Sequence, residues 1–287
     1  MIPAGFEYHR PGDIESALSI LTQHGDEARV IAGGHSLIPM MKLRLTDLSH
    51  LIDLQDIELL KGIEVAGGTV TIGAMVTQHQ LINDQGLADA IPLIREGSLQ
   101  IADPQVRYVG TIGGNVANGD PGNDMPGLMQ CLGATYELQG PGGTREVAAR
   151  DFYEAAYFTE RAEDEILTRI RIPVPAAGTG YAYEKQKRKI GDYATAAAGV
   201  LIRIEGGTCA DASIAMTNLS DTPVWSVAAA NALIGTAVDA TARQAAIAAA
   251  IDEIEPVADN RGPVEFKKHV AGVILGRAIE RAASRAG

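Results

Sequence analysis

Apolar residues change their spacing from one segment of the chain to the next, and this spacing predicts the secondary structure. Four apolar residues behind Asp13, a good helix N-cap, recur at helical spacing: Ile14, Ala17, Leu18 and Leu21. Short apolar runs predict strands and hairpins up to residue 172: 29–32, 50–54, 63–65 with 70–72, a hairpin turning at 140–143, and 166–172. Helices are expected over 87–101 and 125–132, whereas five glycines between Gly110 and Gly122 predict a loop.

A second pattern begins after segment 173–180, which is rich in proline, glycine and alanine and has the composition of a linker. The elements predicted beyond it are a strand at 181–185, a hairpin of 194–204 with 208–217, a helix behind a capping box of Thr241 and Gln244, and an amphipathic helix at 266–277. These patterns predict an α+β protein of two domains, residues 1–177 and 178–287.

Composition and charge exclude several classes of protein. The 287 residues carry 24 basic and 36 acidic side chains, a formal net charge of −12, so no nucleic-acid partner is expected. The chain start lacks a basic region followed by an apolar one, and no segment has the length and apolar character of a membrane span. We therefore expect a cytoplasmic protein.

Several catalytic and metal-binding motifs are absent from the sequence. It contains neither G-x-G-x-x-G nor G-K-[ST], its histidines form no H-E-x-x-H, and Ile38 stands where a nucleophile elbow around Ser36 needs glycine. Two cysteines, Cys131 and Cys209, are too few for a zinc ribbon or an iron–sulfur cluster. Cys131, on an apolar helix, is expected to be a buried structural thiol. No catalytic residue and no metal site is predicted.

Two glycine-rich turns remain, Ala32-Gly33-Gly34-His35-Ser36 and Thr111-Ile112-Gly113-Gly114-Asn115. Paired glycines let backbone N–H groups approach an anion, and the first turn opens a predicted helix whose N-terminus favours negative charge. The alternative is that both are ordinary turns, although the same design occurs twice. Exposed charges are screened beyond about 8 Å, so the net negative charge of the chain does not prevent an anion from binding. Hydrogen-bond donors next to the anion determine whether it binds. The turns thus predict a pyrophosphate site built from backbone amides rather than a basic pocket.

These two turns, together with Ile190-Gly191-Asp192-Tyr193-Ala194, resemble the signatures of the FAD-binding medium subunits of molybdenum hydroxylases, the xanthine oxidase-like family. Within that family, segments 1–10 and 110–126 (GTIGGNVANGDPGNDMP) resemble the medium subunits of aerobic carbon monoxide dehydrogenases. The resemblance covers essentially the whole chain. It implies a two-part N-terminal FAD-binding domain of the molybdenum hydroxylase and vanillyl-alcohol-oxidase-like type, then a C-terminal domain of antiparallel sheet with a helical bundle.

The resemblance also implies a function and an assembly. The chain would carry noncovalent FAD as an electron-transfer subunit, while a molybdopterin-type molybdenum cofactor and [2Fe-2S] clusters would belong to a large molybdoprotein subunit and a small iron–sulfur subunit. During CO oxidation to CO2, electrons would reach FAD from the clusters and leave to a quinone or other acceptor. The heterohexamer would be a dimer of heterotrimers in the cytoplasm, with contact to the inner face of the membrane left open.

The FAD contacts of this family map onto individual positions of the sequence. The first loop corresponds to Ile31, Ala32, Gly33, Gly34, His35, Ser36, Leu37 and Ile38, the second to Thr111, Ile112, Gly113, Gly114 and Asn115, and further contacts to Ile101, Asp124, Leu167, Lys185 and Tyr193. Tyr193 is expected over the isoalloxazine ring. Taken alone, Ile101 and Leu167 are also typical core residues, and Asp124 is also a candidate N-cap for a helix beginning at Met125.

Three alternatives stay open at this level. A histidine after paired glycines is bonded covalently to the flavin in a related flavoprotein family, whereas the resemblance implies noncovalent FAD beside His35. The run Glu184–Lys189 is either a solvated strand edge or a border of the flavin site that attracts an anion or a partner subunit. The assembly oxidises CO or, alternatively, hydroxylates an aromatic heterocycle; a non-redox nucleotide-binding structural module is the candidate from another class.

Overall fold

A small parallel sheet with helices packed on it forms the first part of the chain. The structure is a computed structural model that describes residues 2–287; Met1, which begins segment 1–10, lies outside the described residues. The elements are β1 (Glu7–His9), α1 (Ile14–His24), β2 (Ala28–Ile31), α2 (Leu37–Lys42) and β3 (His50–Asp53). The strands are parallel in the order β1-β3-β2. As expected, Asp13 caps α1 by accepting a 2.7 Å hydrogen bond from the N–H of Ser16.

The second part is a five-stranded antiparallel sheet covered by a layer of short helices. Its elements are β4 (Ile63–Ala66), β5 (Thr69–Gly73), α3 (Gln78–Asn83), α4 (Gln85–Ala90), α5 (Pro92–Ser98), α6 (Pro104–Val109), α7 (Ile112–Ala117), α8 (Asp124–Cys131), β6 (Thr135–Gly140), β7 (Gly143–Ala148), β8 (Tyr153–Ala155), β9 (Phe158–Thr159) and β10 (Ile166–Pro173). The sheet order is β4-β5-β10-β6-β7, and β8 pairs with β9. Fully buried residues such as Ile72, Leu128 and Ile170 form the core between sheet and helices.

The third part is a four-stranded antiparallel sheet followed by three helices. Its elements are β11 (Thr179–Gln186), β12 (Ala196–Glu205), β13 (Thr208–Thr217), β14 (Val224–Trp225), α9 (Val227–Leu233), α10 (Ala240–Glu253) and α11 (Val264–Ser284). Helix α11 packs along β11 and β12, so closely that a Cβ atom on Gly180 would overlap the carbonyl of Ala282. Among the helices of residues 2–287, none has both the length and the apolar character needed to cross a bilayer.

The second and third parts are joined through Glu96 of α5. Its carboxylate accepts hydrogen bonds from the backbone N–H of Tyr183, at 2.8 Å, and from the guanidinium of Arg285, at 2.9 Å. The guanidinium of Arg285 also lies 4.5 Å from the ring centroid of Tyr181. Cys131 lies at the same boundary, where burial raises the pKa of its thiol to about 12, as expected for a structural cysteine.

The prediction of a loop at 110–122 is wrong, because α7 lies inside this glycine-rich segment. Thr111 caps α7, its hydroxyl accepting a 3.1 Å hydrogen bond from the N–H of Gly114. Gly113 packs on Ala74 so closely that a Cβ atom would lie 2.5 Å from the Cβ of Ala74. Glycine disfavours an isolated helix by about 1 kcal/mol relative to alanine, but here the missing side chains let the helix pack against the end of β5.

Three other predicted boundaries also differ from the structure. Segment 87–101 contains two helices rather than one, because Pro92 starts α5 and cannot donate a hydrogen bond within α4. The predicted capping box is absent: α10 begins earlier and Asp239 caps it, accepting a 2.9 Å hydrogen bond from the N–H of Ala242. Asn123 precedes α8, so Asp124 is the first helical residue and not the N-cap.

The pairing of Arg145 with Glu165 makes the stability of the five-stranded sheet depend on pH. The guanidinium of Arg145 donates to both carboxylate oxygens of Glu165, at 2.6 and 2.9 Å. These hydrogen bonds hold the pKa of Glu165 below its ordinary value of 4.5. Because a lowered pKa stabilises the folded state only while the carboxylate is ionised, this contribution is complete above pH 4.5 and is lost as pH falls through the lowered pKa.

We expect Arg145→Met to lower the urea midpoint of the full chain at about pH 7, and to lower it progressively less as the pH falls through the lowered pKa of Glu165. The matched control is Arg203→Met, which removes an ion pair with the exposed Glu205. A difference in midpoint between wild type and Arg145→Met that does not shrink at any pH below 4.5 would contradict the assignment.

Candidate functional site

A cavity of about 570 Å³ lies where the three parts of the chain meet. Its wall includes both glycine turns, residues of α6, α7 and α8, the beginning of β10 and the end of β11. A volume in this range is typical of a site for a small molecule or cofactor.

Nearly all the predicted FAD contacts line this cavity: Ile31, Ala32, Gly33, Gly34, His35, Ser36, Leu37, Ile101, Thr111, Gly113, Gly114, Asn115, Asp124, Leu167, Lys185 and Tyr193. The structure places the other two, Ile38 and Ile112, outside the wall. Ile38 is partly exposed on α2, and Ile112 is fully buried in the core below the second turn. Ile101 and Leu167 are buried core residues and also line the cavity, so both of their possible roles are compatible with the structure.

The two glycine turns lie against each other. Gly33 and Gly34 have φ angles of 83° and 75°, in the left-handed region that favours glycine. A Cβ atom on Gly33 would lie 2.5 Å from the carbonyl oxygen of Val109 and 3.0 Å from the Cα of Gly110. The first turn therefore rests on the backbone that leads into the second, and together they form one continuous wall.

The first turn presents most of the free backbone donors. Within residues 2–287, no hydrogen bond uses the N–H groups of Gly33, Gly34, His35 or Ser36. In the second turn the N–H of Gly113 donates to Ala74 at 2.9 Å, and those of Gly114 and Asn115 donate to Thr111. The N–H of Ile112 donates to Val76, so within residues 2–287 only the N–H of Thr111 is left free in the second turn. The expectation that both turns offer several amides is therefore wrong for the second turn.

Cationic side chains also contribute to the wall, beside the backbone amides and including the predicted contact Lys185. Arg29, Arg161 and Lys185 all line the cavity. The guanidinium of Arg161 is held by the carbonyls of Ala162 and Glu165, at 2.7 and 2.8 Å. The site therefore combines backbone amides with positive charge, and both favour an anionic ligand.

Lys185 belongs to a buried polar group with Asp124 and Tyr183. The side chains of Lys185 and Asp124 are only 1% and 5% exposed, and their charged atoms are 2.8 Å apart. The hydroxyl of Tyr183 donates to the other carboxylate oxygen of Asp124, and burial together with this carboxylate raises the pKa of Tyr183. The idea of a solvated edge is thus wrong for Lys185 in the run Glu184–Lys189.

Tyr193 lies over Gly122 at the edge of the cavity, 40% exposed. Its hydroxyl donates a 3.0 Å hydrogen bond to Asp120, and a Cβ atom on Gly122 would lie 2.8 Å from the ring. The guanidinium of Arg261 lies 5.6 Å from the ring centroid and pairs with Asp192. These contacts from two other loops hold the ring in place and leave part of it exposed.

Gln78 and Asn118 are among the polar residues of the cavity wall that sequence reasoning missed. In the part of the chain that the structure describes, both amide atoms of Gln78 and the amide nitrogen of Asn118 are buried without a hydrogen-bond partner. Buried polar groups are nearly always satisfied in folded proteins, so such unpaired atoms fit a site for a polar ligand. Neither residue belongs to a motif, whereas Tyr183 could have been inferred from its position two residues before Lys185 on one strand.

Free amides, cationic side chains and unpaired polar groups around one cavity define a protein that binds an anionic, nucleotide-like cofactor. Residues 4–175 match the family described as FAD binding domain in molybdopterin dehydrogenase, and residues 181–282 match CO dehydrogenase flavoprotein C-terminal domain. The chain belongs to this family of FAD-binding flavoproteins and is an oxidoreductase component. Family, fold class and FAD as cofactor are thereby confirmed.

Relatives match over the whole chain. The carbon monoxide dehydrogenase medium chain of Afipia carboxidovorans is 59% identical over 286 residues, covering 100% of this chain and 99% of its own length. A chain of the carbon monoxide dehydrogenase from Hydrogenophaga pseudoflava is 47% identical with a TM-score of 0.99, covering 100% of both chains. A chain of quinoline 2-oxidoreductase from Pseudomonas putida 86 is 33% identical with a TM-score of 0.95, covering 99% of both.

Proposed function

We propose that this chain is the FAD-carrying electron-transfer subunit of a carbon monoxide dehydrogenase. The observation that carries the proposal is the 59% identity, across 100% of this chain, to a carbon monoxide dehydrogenase medium chain. Bound FAD supplies one- and two-electron redox chemistry. The residues of this chain have the tasks of binding the cofactor, orienting it and fixing the charge around it.

The first glycine turn binds the pyrophosphate. The free N–H groups from Gly33 to Ser36 donate to phosphate oxygens, and hydrogen bonds to a charged group contribute about 1.5–3 kcal/mol each. Gly113, Gly114 and Asn115 of the second turn shape the wall without donating, because their amides are occupied. Gln78 and Asn118 supply the remaining polar contacts to the cofactor through their unpaired amide groups.

The remaining side chains hold the cofactor in one orientation. Ile101 and Leu167 form apolar wall, and Tyr193 lies over the isoalloxazine ring. Asp124 and Tyr183 keep the ammonium group of Lys185 in a fixed position at the cavity. The ammonium group donates to the carboxylate of Asp124, and the hydroxyl of Tyr183 donates to the other oxygen of the same carboxylate. The site is thereby ordered before the cofactor arrives, which lowers the entropy lost on binding.

The assembly that fits this role has three kinds of subunit. A small subunit with [2Fe-2S] clusters delivers electrons to the flavin, a large subunit with a molybdenum cofactor oxidises CO, and a quinone or other acceptor takes the electrons from FAD. The complex is a dimer of heterotrimers in the cytoplasm. The 33% identical chain from quinoline 2-oxidoreductase supports the alternative that the large subunit hydroxylates an aromatic heterocycle.

The proposed domain division lies at residue 177. Residues 1–177 are the FAD-binding domain and residues 178–287 the C-terminal flavoprotein domain. The division is supported by the connection between β10, which ends at Pro173, and β11, which begins at Thr179. The first family match also ends at residue 175, and the second begins at residue 181.

The test of the function is to purify this chain together with its two neighbouring subunits and add CO without oxygen. Loss of the oxidised-flavin absorbance on CO addition, absent from the same complex carrying Gly33→Ala, is the expected result. Loss of absorbance with quinoline but not with CO would overturn the CO assignment and favour the heterocycle. A purified complex that contains no FAD and takes up none when FAD is added would overturn the electron-transfer role.

His35 is expected to contact FAD without a covalent bond. Its ring is exposed beside the cavity, next to Gly110. After acid precipitation of the purified complex, we expect the yellow colour in the supernatant and a colourless pellet. His35→Ala should retain some FAD and give the same separation, and yellow colour that stays with the wild-type pellet would contradict the prediction.

A further inference from the structure

Three histidines from separate elements meet on the small parallel sheet and do not belong to the cavity wall. His9 ends β1, His24 ends α1 and His50 begins β3. The Nε2 atom of His9 lies 3.0 Å from the Nδ1 atom of His50, and the ring centroids of His24 and His50 are 3.6 Å apart. One nitrogen of each ring lies within 4.8 Å of the others. These residues are called the histidine cluster below.

The backbone places the histidine cluster on one face of the sheet. Glu7 pairs with His50 in the parallel register, and His9 follows Glu7 by two residues. Because side chains alternate along a strand, the side chains of Glu7, His9 and His50 all project from the same face of the sheet. Helix α1 packs on the sheet and brings His24 to this position at its last residue. The three histidines are half-buried, with the side chain of His50 12% exposed.

Few of the ring nitrogens are used within the protein. His9 and His50 share one hydrogen bond, and within residues 2–287 the ring of His24 takes part in none. A neutral imidazole has one donor and one acceptor nitrogen, so acceptor capacity is left in the cluster. Acidic residues are close in sequence, since Asp26 and Glu27 follow His24 in a 3-10 turn. A cation is therefore the ligand that this arrangement favours.

We propose that the histidine cluster binds one divalent transition-metal ion of the zinc class. Imidazole nitrogen suits zinc, nickel and copper, whereas magnesium and calcium prefer oxygen ligands. Tetrahedral zinc with bonds of about 2.0–2.1 Å places its ligand nitrogens about 3.3 Å apart, close to the 3.0 Å between His9 and His50. The carboxylate of Glu7, 3.6 Å from Nδ1 of His50, is placed to supply the fourth ligand.

The bound ion is structural. It links the end of β1 to the end of α1 and to β3, the central strand of the parallel sheet. β2, which pairs with β3, leads into the glycine turn at Gly33 and Gly34. The ion stabilises this sheet without touching the cavity, so its binding does not depend on the FAD site. The histidine cluster thus differs from the sequence-based expectation that the chain has no metal site.

The test is calorimetric titration of Zn²⁺ into the purified full chain, without an affinity tag and after treatment with a chelator. We expect one high-affinity site per chain. The conservative variants His9→Gln, His24→Gln and His50→Gln should each bind Zn²⁺ about 100-fold more weakly or worse, since losing even an outer-shell partner weakens metal affinity about 10–100-fold. X-ray absorption of the wild-type chain should show nitrogen ligands at about 2.0–2.1 Å.

Two controls keep the result specific to the cluster. His269→Gln alters an exposed histidine of α11 and should leave Zn²⁺ affinity unchanged. The thermal midpoint of the wild-type chain should rise with Zn²⁺, and that of His24→Gln should not. His24 ends a helix, so this variant is expected to fold even if His50→Gln does not. Wild-type affinity no tighter than that of His24→Gln, or binding lost equally in His269→Gln, would overturn the proposal.

Discussion

Gly33→Ala is expected to weaken FAD binding at least about tenfold. The new methyl group would clash with neighbouring backbone, and alanine would be strained at the φ angle of this position. Gly33 has a φ of 83°, where a side chain costs about 1–2 kcal/mol. Its Cβ atom would lie 2.5 Å from the carbonyl oxygen of Val109. The backbone at Gly33 and at Val109 has to move apart, which separates the free amides of the first turn from the wall formed by the second turn. A loss of about 1.4 kcal/mol is already tenfold in affinity.

Gly207→Ala is the matched control, because it introduces the same backbone strain as Gly33→Ala without the steric clash. Gly207 has the same φ of 83° in the β12–β13 hairpin, and nothing lies within 4 Å of a Cβ atom there. Both variants are purified and their FAD content is measured from absorbance, with circular dichroism to verify the fold. Gly207→Ala should retain wild-type FAD content while Gly33→Ala loses it. FAD content in Gly33→Ala equal to that in Gly207→Ala would contradict the role given to the first turn.

Lys185→Met should destabilise the chain by about 3–5 kcal/mol, the usual effect of removing one partner of a buried ion pair. The carboxylate of Asp124, 5% exposed, would keep the hydroxyl of Tyr183 but lose its positive partner. Urea unfolding at neutral pH measures the change. FAD content should fall as well, because Lys185 lines the cavity.

Two further variants isolate the effect of burial. Lys61→Met removes an exposed lysine that pairs with Glu58, and such a pair contributes at most about 1 kcal/mol. The double variant Asp124→Asn/Lys185→Met should be more stable than the sum of the single changes predicts, since a neutral amide needs no positive partner. If Lys185→Met were no less stable than Lys61→Met, the buried pair would have no structural role.

Features with a local physical cause were predictable from the sequence. Asp13 and the apolar spacing after it specify α1, and the paired glycines at 33–34 mark a turn because only glycine adopts this backbone without strain. The same signal was misleading at 110–122, where packing of Gly113 on Ala74 outweighs the low helix propensity of glycine. Local propensity is overruled wherever a tertiary contact requires a missing side chain.

Contacts between distant segments were not predictable in this way. Lys185 is part of a basic run, and the sequence does not reveal that its ammonium group lies beside Asp124 rather than in water. The unpaired amide of Gln78 has no sequence signal, because its burial depends on how α3 packs. The histidine cluster brings together residues from a strand, a helix and another strand, so its proximity follows from topology and not from spacing.

The position of Lys185 and Tyr193 has a consequence for how the flavoprotein is made. Both residues line the cavity and come after the linker, whereas the first glycine turn is synthesised early. A nascent chain that ends at β10 has the first glycine turn but lacks Lys185, the partner of Asp124. Domains generally fold in order as they leave the ribosome. With the FAD site proposed above, we therefore expect flavin uptake only after β11 and the loop carrying Tyr193 have emerged, late in synthesis or after it.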